Sequence, residues 1–107
     1  MNGKKICPIC NNNVEYTSNP TRPGCYIMNC SDCGGRYSLG EKTEVTMYEY
    51  KELLKELPKF IKYAQSIKKR VIINEFSLTD LLSVQGNLNL NMEIFIKNHP
   101  DYFEDDI

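Results

Sequence analysis

Apolar residues keep two different rhythms along this chain, and the rhythm changes near position 47. Before it, strand-like runs alternate with turn chemistry. Val14-Glu15-Tyr16-Thr17 and Cys25-Tyr26-Ile27-Met28-Asn29 flank Ser18-Asn19-Pro20-Thr21-Arg22-Pro23-Gly24, a loop dense in breakers. Arg36-Tyr37-Ser38-Leu39 is a further strand, and Gly40-Glu41-Lys42 turns the chain into residues 43–48. From Met47 the period changes. Leu53, Leu54, Leu57, Phe60, Ile61, Ala64 and Ile67 recur at three- and four-residue steps, the stripe of an amphipathic helix. Pro58 lies inside that stripe, so the helix either kinks there or restarts with proline in its first turn.

Arg70-Val71-Ile72-Ile73-Asn74-Glu75-Phe76 loses the helical period and is β-branched, which predicts a strand or extended link. A short helix follows, with Ser77 as N-cap, Asp80 as the acid of a capping box, and Gly86 at its end. Leu88-Asn89-Leu90-Asn91-Met92 alternates as a strand does. Met92, Phe95, Ile96 and His99 fit a helix, and the expectation is a helix from about Asn91 to Asn98 stopped by Pro100. Residues 101–107 form an acidic tail with an aromatic pair, in which Asp105-Asp106 is expected to be solvated.

Cysteine usage divides the chain at the same place. All five cysteines lie within the first 33 of 107 residues. No apolar run approaches the roughly 20 residues of a membrane span, and no apolar stretch follows the N-terminal lysines, so a cytoplasmic protein is expected. An odd number of thiols in a reducing compartment makes a poor disulfide framework and a good metal site. Cys7-Pro8-Ile9-Cys10 and Cys30-Ser31-Asp32-Cys33 are two Cys-x2-Cys pairs with 19 residues between them. That spacing suits one zinc held by four thiolates. Each pair occupies a tight turn that aims both sulfurs at one point, and two turns close a tetrahedron with bonds of about 2.3 Å. Gly34-Gly35 lets the backbone take positive φ beside the metal. Cys25 is left over, and is read as a small buried side chain on a strand, ahead of an alternative ligand to Cys30 or a redox-sensitive thiol beside the site.

On Cys7, Cys10, Cys30 and Cys33, with the strands around them, residues 1–46 resemble the zinc-ribbon group, which implies a three- or four-stranded antiparallel sheet stapled by one structural zinc. Rubredoxins are similar at the same four cysteines and would imply iron and electron transfer. However, Asn11 stands after the first pair where rubredoxins usually have glycine, and Ser31 opens the second where they usually carry proline. Antitoxins and transcription-associated proteins with N-terminal ribbons look similar there too, and they would imply regulation. The fold class expected is α+β: a small N-terminal antiparallel zinc ribbon, residues 1–46, followed by a mainly helical C-terminal part, residues 47–107, with an acidic tail.

The net charge of −1 conceals a sorted distribution. Residues 1–46 carry five basic and four acidic side chains, residues 47–70 seven and three, and residues 71–107 one and seven. A basic helix, +4 and ending in Lys68-Lys69-Arg70, therefore precedes an acidic segment of −6. Two uses of the basic cluster follow. It complements its own helix dipole and the acidic segment, or it meets phosphate together with Arg22, Arg36 and Tyr37. Catalytic signatures are absent: His99 is the one histidine, and no phosphate loop, nucleophile elbow or His-Glu-x-x-His motif occurs. The expected function is that of a zinc-stabilised regulatory module that binds a protein partner without catalysis, with nucleic-acid binding as the alternative. The abundance of asparagine, lysine and isoleucine points to an AT-rich bacterial or phage genome.

Overall fold

The computed structural model describes residues 2–106. Six strands form one mixed sheet in sequence order: β1 (Asn2–Ile6), β2 (Asn13–Ser18), β3 (Cys25–Cys30), β4 (Gly35–Gly40), β5 (Lys69–Ile73) and β6 (Phe103–Asp105). Four helices accompany it: α1 (Glu41–Glu49), α2 (Leu57–Ser66), α3 (Glu75–Val84) and α4 (Met92–Asn98). The class is α+β. Neighbouring strands are antiparallel except β4 and β5, which run parallel with Ser38 opposite Ile72 and Leu39 opposite Ile73. A parallel pair needs a crossover, and here it carries α1 and α2. Among the described residues no helix is long and apolar enough to cross a membrane.

Position 46 falls inside α1, and the sheet continues across it. The C-terminal part is therefore helical but also contributes β5 and β6. The reason lies in β5. Arg70, Val71, Ile72 and Ile73 are all buried, because β5 lies between two strands and is covered on both faces. Tyr37, Leu39, Val71 and Ile73 share one face and join the core of α2, where Leu57, Phe60, Ile61 and Ala64 are buried. The opposite face carries Ser38 and Ile72. The β2–β3 loop reaches over it, and the buried Asn19 donates to Ser38 Oγ at 3.0 Å and to Glu104 at 2.9 Å.

One open reading is decided and two local expectations are revised. Of the two readings of Pro58 the restart holds: α1 stops at Glu49, a short 3-10 turn spans Lys51–Leu53, and α2 restarts with Pro58 in its first turn. There proline's missing N–H leaves no hydrogen bond broken. Leu53 and Ile67, at the ends of the stripe, are exposed. The cap of α3 is Asn74, three residues before Ser77. The Asn74 side chain accepts from the Phe76 and Ser77 amides at 2.9 Å each, and Ser77 Oγ accepts from the Asn74 amide at 3.0 Å. Serine thus plays the part usually taken by glutamate in a capping box, while Asp80 accepts a hydrogen bond from the Tyr102 hydroxyl. Finally, the acidic tail is ordered as β6 along β5. Phe103 is buried, its ring 6.2 Å from that of Phe95.

Candidate metal centre

Two turns at one end of the sheet bring the four paired cysteines together. Cys7 and Cys10 lie on the turn that follows β1. The Asn11 amide donates to the Cys7 carbonyl and the Cys7 amide to the Asn12 carbonyl, both at 2.8 Å. Asn11 sits at φ 67°, a left-handed conformation that asparagine tolerates without being glycine. Cys30 ends β3, and Cys33 ends a 3-10 turn over Ser31–Cys33. The Asn12 side-chain amide donates to the Asp32 carboxylate, linking one turn to the other.

The four Sγ atoms lie within 4.8 Å of one another, with Cys10 to Cys30 at 3.4 Å and Cys7 to Cys33 at 3.8 Å. All are free thiols. Sulfurs placed tetrahedrally around zinc at about 2.3 Å are separated by about 3.8 Å, so this donor set fits a thiolate-bound metal ion. Cys7, Cys30 and Cys33 are buried, and Cys10 is half-buried. Cys25 stands at the far end of β3, about 17 Å of extended chain from Cys30, outside the cluster. Burial raises its thiol pKa.

Four thiols this close cannot all ionise while protons are the only cations among them. Hydrogen bonding from Cys33, with a further bond from Tyr37, pulls Cys7 down to about 5. Cys33 is pushed up, chiefly by Cys7, and burial pushes Cys30 up to about 12. A metal ion entering the cluster must displace the protons that Cys30 and Cys33 retain, so metal affinity falls as the pH falls.

The site is built into the core of the protein. Gly34 and Gly35 take φ 106° and φ 136°, and both lie against α2. A Cβ on Gly34 would stand 2.8 Å from Lys62 Cβ and 3.0 Å from its Cα and N. That neighbour is helix backbone and cannot swing aside. Gly34→Ala is expected to cost on the order of 2 kcal/mol from the left-handed backbone and the clash together. Urea titration of the purified variant measures it; a midpoint equal to wild type would show that α2 does not press on this turn. On the other side of the site Tyr37 is fully buried, with its hydroxyl 3.0 Å from Cys7 Sγ.

The residues expected to contact phosphate separate into two groups. Arg22, Arg36, Lys69 and Arg70 do converge, and they converge on the acidic tail. Arg70, 3% exposed, binds Glu104 at 2.8 Å and Asp106 at 2.9 Å. Arg22 binds Glu104 at 3.2 Å, Lys69 binds Asp105 at 2.9 Å, and Arg36 pairs with Asp106 through two nitrogens. Gln65 of α2 donates to the same Asp106 at 3.0 Å. Lys68 and Tyr37 lie apart from this group. Lys68 closes the turn after α2 at φ 61°, its carbonyl accepting from the Asp106 amide at 3.0 Å. Tyr37 belongs to the cysteine cluster.

The sequence reading offered the acidic segment as the complement of this cluster, but it did not single out Glu104, Asp106 or Gln65 as the partners. The available signal was Phe103. An aromatic residue inside an acidic run needs somewhere to be buried, and alternation then turns Glu104 to the opposite face of the strand. No protein-family model matches this chain, and comparison with curated proteins and with solved structures finds no match.

Proposed function

We propose that the four cysteines hold one structural zinc ion, that β1–β4 with the two cysteine turns form a zinc ribbon, and that the protein is a non-catalytic module that binds a protein partner. The observation carrying this reading is the donor set. Four sulfurs within 4.8 Å fill a tetrahedral shell and leave no coordination position for water or substrate. The metal's contribution is then to fold the chain, and function falls to its outer surface. Several large apolar side chains are available on that surface, among them Leu88 (99% exposed), Phe76 (74%) and Val45 (65%).

The internal use of the arginines weighs against the nucleic-acid alternative. Arg22, Arg36, Lys69 and Arg70 are each already paired with Glu104, Asp105 or Asp106, which leaves little of the cluster to release counterions from phosphate. The purified protein is expected to be colourless and to yield one equivalent of zinc by elemental analysis. A red protein with visible absorbance would establish the iron alternative. Affinity capture from cell extract is expected to retain its partner after nuclease treatment, and labelled DNA and RNA are expected not to bind at low salt. Salt-sensitive binding that is lost in Lys68→Glu/Lys69→Glu would overturn the protein-partner reading in favour of nucleic acid.

A further inference from the structure

The tyrosine hydroxyl beside the cysteine cluster has no requirement in the packing of the core. Tyr37 lies on β4, fully buried among Met28, Leu39 and the α2 residues, in a place where phenylalanine would satisfy the apolar surroundings equally well. A buried hydroxyl costs stability unless it is hydrogen-bonded. The bond that Tyr37 makes is to Cys7 Sγ, at 3.0 Å. Either atom can donate across that contact, but once Cys7 is a metal-bound thiolate only the hydroxyl carries a proton to give.

The other three sulfurs are held differently. Cys30 and Cys33 are enclosed, and Cys10 is half-buried. The cluster is therefore asymmetric across its first cysteine pair: Cys7 is buried with its sulfur against the Tyr37 hydroxyl, and Cys10 is half-buried.

We propose that Tyr37 is a positioning residue of the metal site, its hydroxyl orienting the Cys7 thiolate and drawing charge from it, so that Cys7 is the held ligand and Cys10 the ligand at which the site exchanges and reacts. This rests on the metal-binding reading above. A hydrogen bond to a metal-bound thiolate stabilises the sulfur lone pairs, which lowers their donation to the metal and their nucleophilicity towards electrophiles. It also fixes the direction of the lone pair that points to the metal. Cys10, more open to solvent, meets an electrophile first.

The test uses the full chain loaded with Co2+, whose thiolate-to-metal charge-transfer band reports the donor strength of the sulfurs. Wild-type protein is expected to show that band. Tyr37→Phe is expected to shift the band to lower energy, the direction of a Cys7 sulfur that donates more strongly once the hydroxyl is gone. In limiting iodoacetamide, mass spectrometry is expected to find Cys10 modified first in wild type, with Cys7 modification rising in Tyr37→Phe. A wild-type chain with no charge-transfer band refutes the metal reading, and the role of Tyr37 falls with it. A wild-type band matched by a superimposable Tyr37→Phe spectrum overturns the role of Tyr37 alone. Should Tyr37→Phe fail to fold, 113Cd-loaded wild type decides the question: a slowly exchanging hydroxyl proton correlated with the metal is expected, and its absence overturns the proposal.

Discussion

On the zinc reading, serine in place of Cys30, or chelation strong enough to strip the site, is expected to unfold the whole sheet and not only residues 1–46. Cys7, Cys30 and Cys33 belong to the same core cluster as Leu57, Phe60 and Ile61 of α2 and Val71 and Ile73 of β5. Gly34 and Gly35 lie against Lys62 and Gln65 of that helix. Opening the cluster leaves mutually repelling thiolates in the core, or thiols without a ligand between them. Zinc held by four thiolates contributes on the order of 10–16 kcal/mol of apparent binding free energy. A domain of this size is stable by only about 5–15 kcal/mol. The larger number wins. Far-UV circular dichroism should show loss of helix together with loss of sheet, and hydrogen exchange should show the amides of residues 71–73 deprotected along with those of residues 25–30. Protection retained at 71–73 in Cys30→Ser would mean that the C-terminal part folds without the clasp.

The cysteine site was legible in the sequence because its information is local. Two Cys-x2-Cys pairs need only a turn each, and turn residues such as Asn11, Gly34 and Gly35 stand beside them. The strands flanking the long loop were legible for the same reason, as their apolar residues and breakers lie within a few positions of one another. Pairing between distant segments was not. Nothing near Val71-Ile72-Ile73 says that this run lies parallel to β4, since a strand buried on both faces has no alternation to reveal its partner. The cap at Asn74 was missed because serine at the third helical position imitates a cap of its own. Tyr37 stands in the sequence beside Arg36, with which it is grouped as a phosphate contact. Along a strand, however, adjacent side chains point to opposite faces, and Arg36 lies outside while Tyr37 lies against the cysteine cluster.

Replacing Arg70 with methionine is expected to cost about 3–5 kcal/mol, the effect of removing one partner from a buried ion pair. Arg70 is 3% exposed, and its guanidinium meets two carboxylates, Glu104 through Nε at 2.9 Å and Asp106 through Nη1 at 2.9 Å. Methionine keeps most of the volume and leaves both acids without that cation. Glu104 retains Arg22 and Asn19, and Asp106 retains Arg36 and Gln65, so β6 should loosen before the rest of the sheet. Urea unfolding measures the loss. A midpoint within about 1 kcal/mol of wild type would place this pair with surface ion pairs in energetic weight. Replacing both acids as well, in Arg70→Met/Glu104→Gln/Asp106→Asn, should recover part of the loss, because no uncompensated buried charge is then left at the triad. Acid probes the same contact without mutation. The hydrogen bond from Arg36, with those from Gln65 and Arg70, holds the Asp106 carboxyl down at about 2. A carboxylate with a depressed pKa contributes stability that is complete above the ordinary carboxylate range near 4, and loses it as the pH falls through about 2. The contribution is on the order of 2 kcal/mol, and Asp106→Asn should flatten the acid limb of the stability profile by that amount. Above that range Asp106 stays ionised and paired with Arg36 and Arg70, so the contact that orders the tail persists through neutral pH.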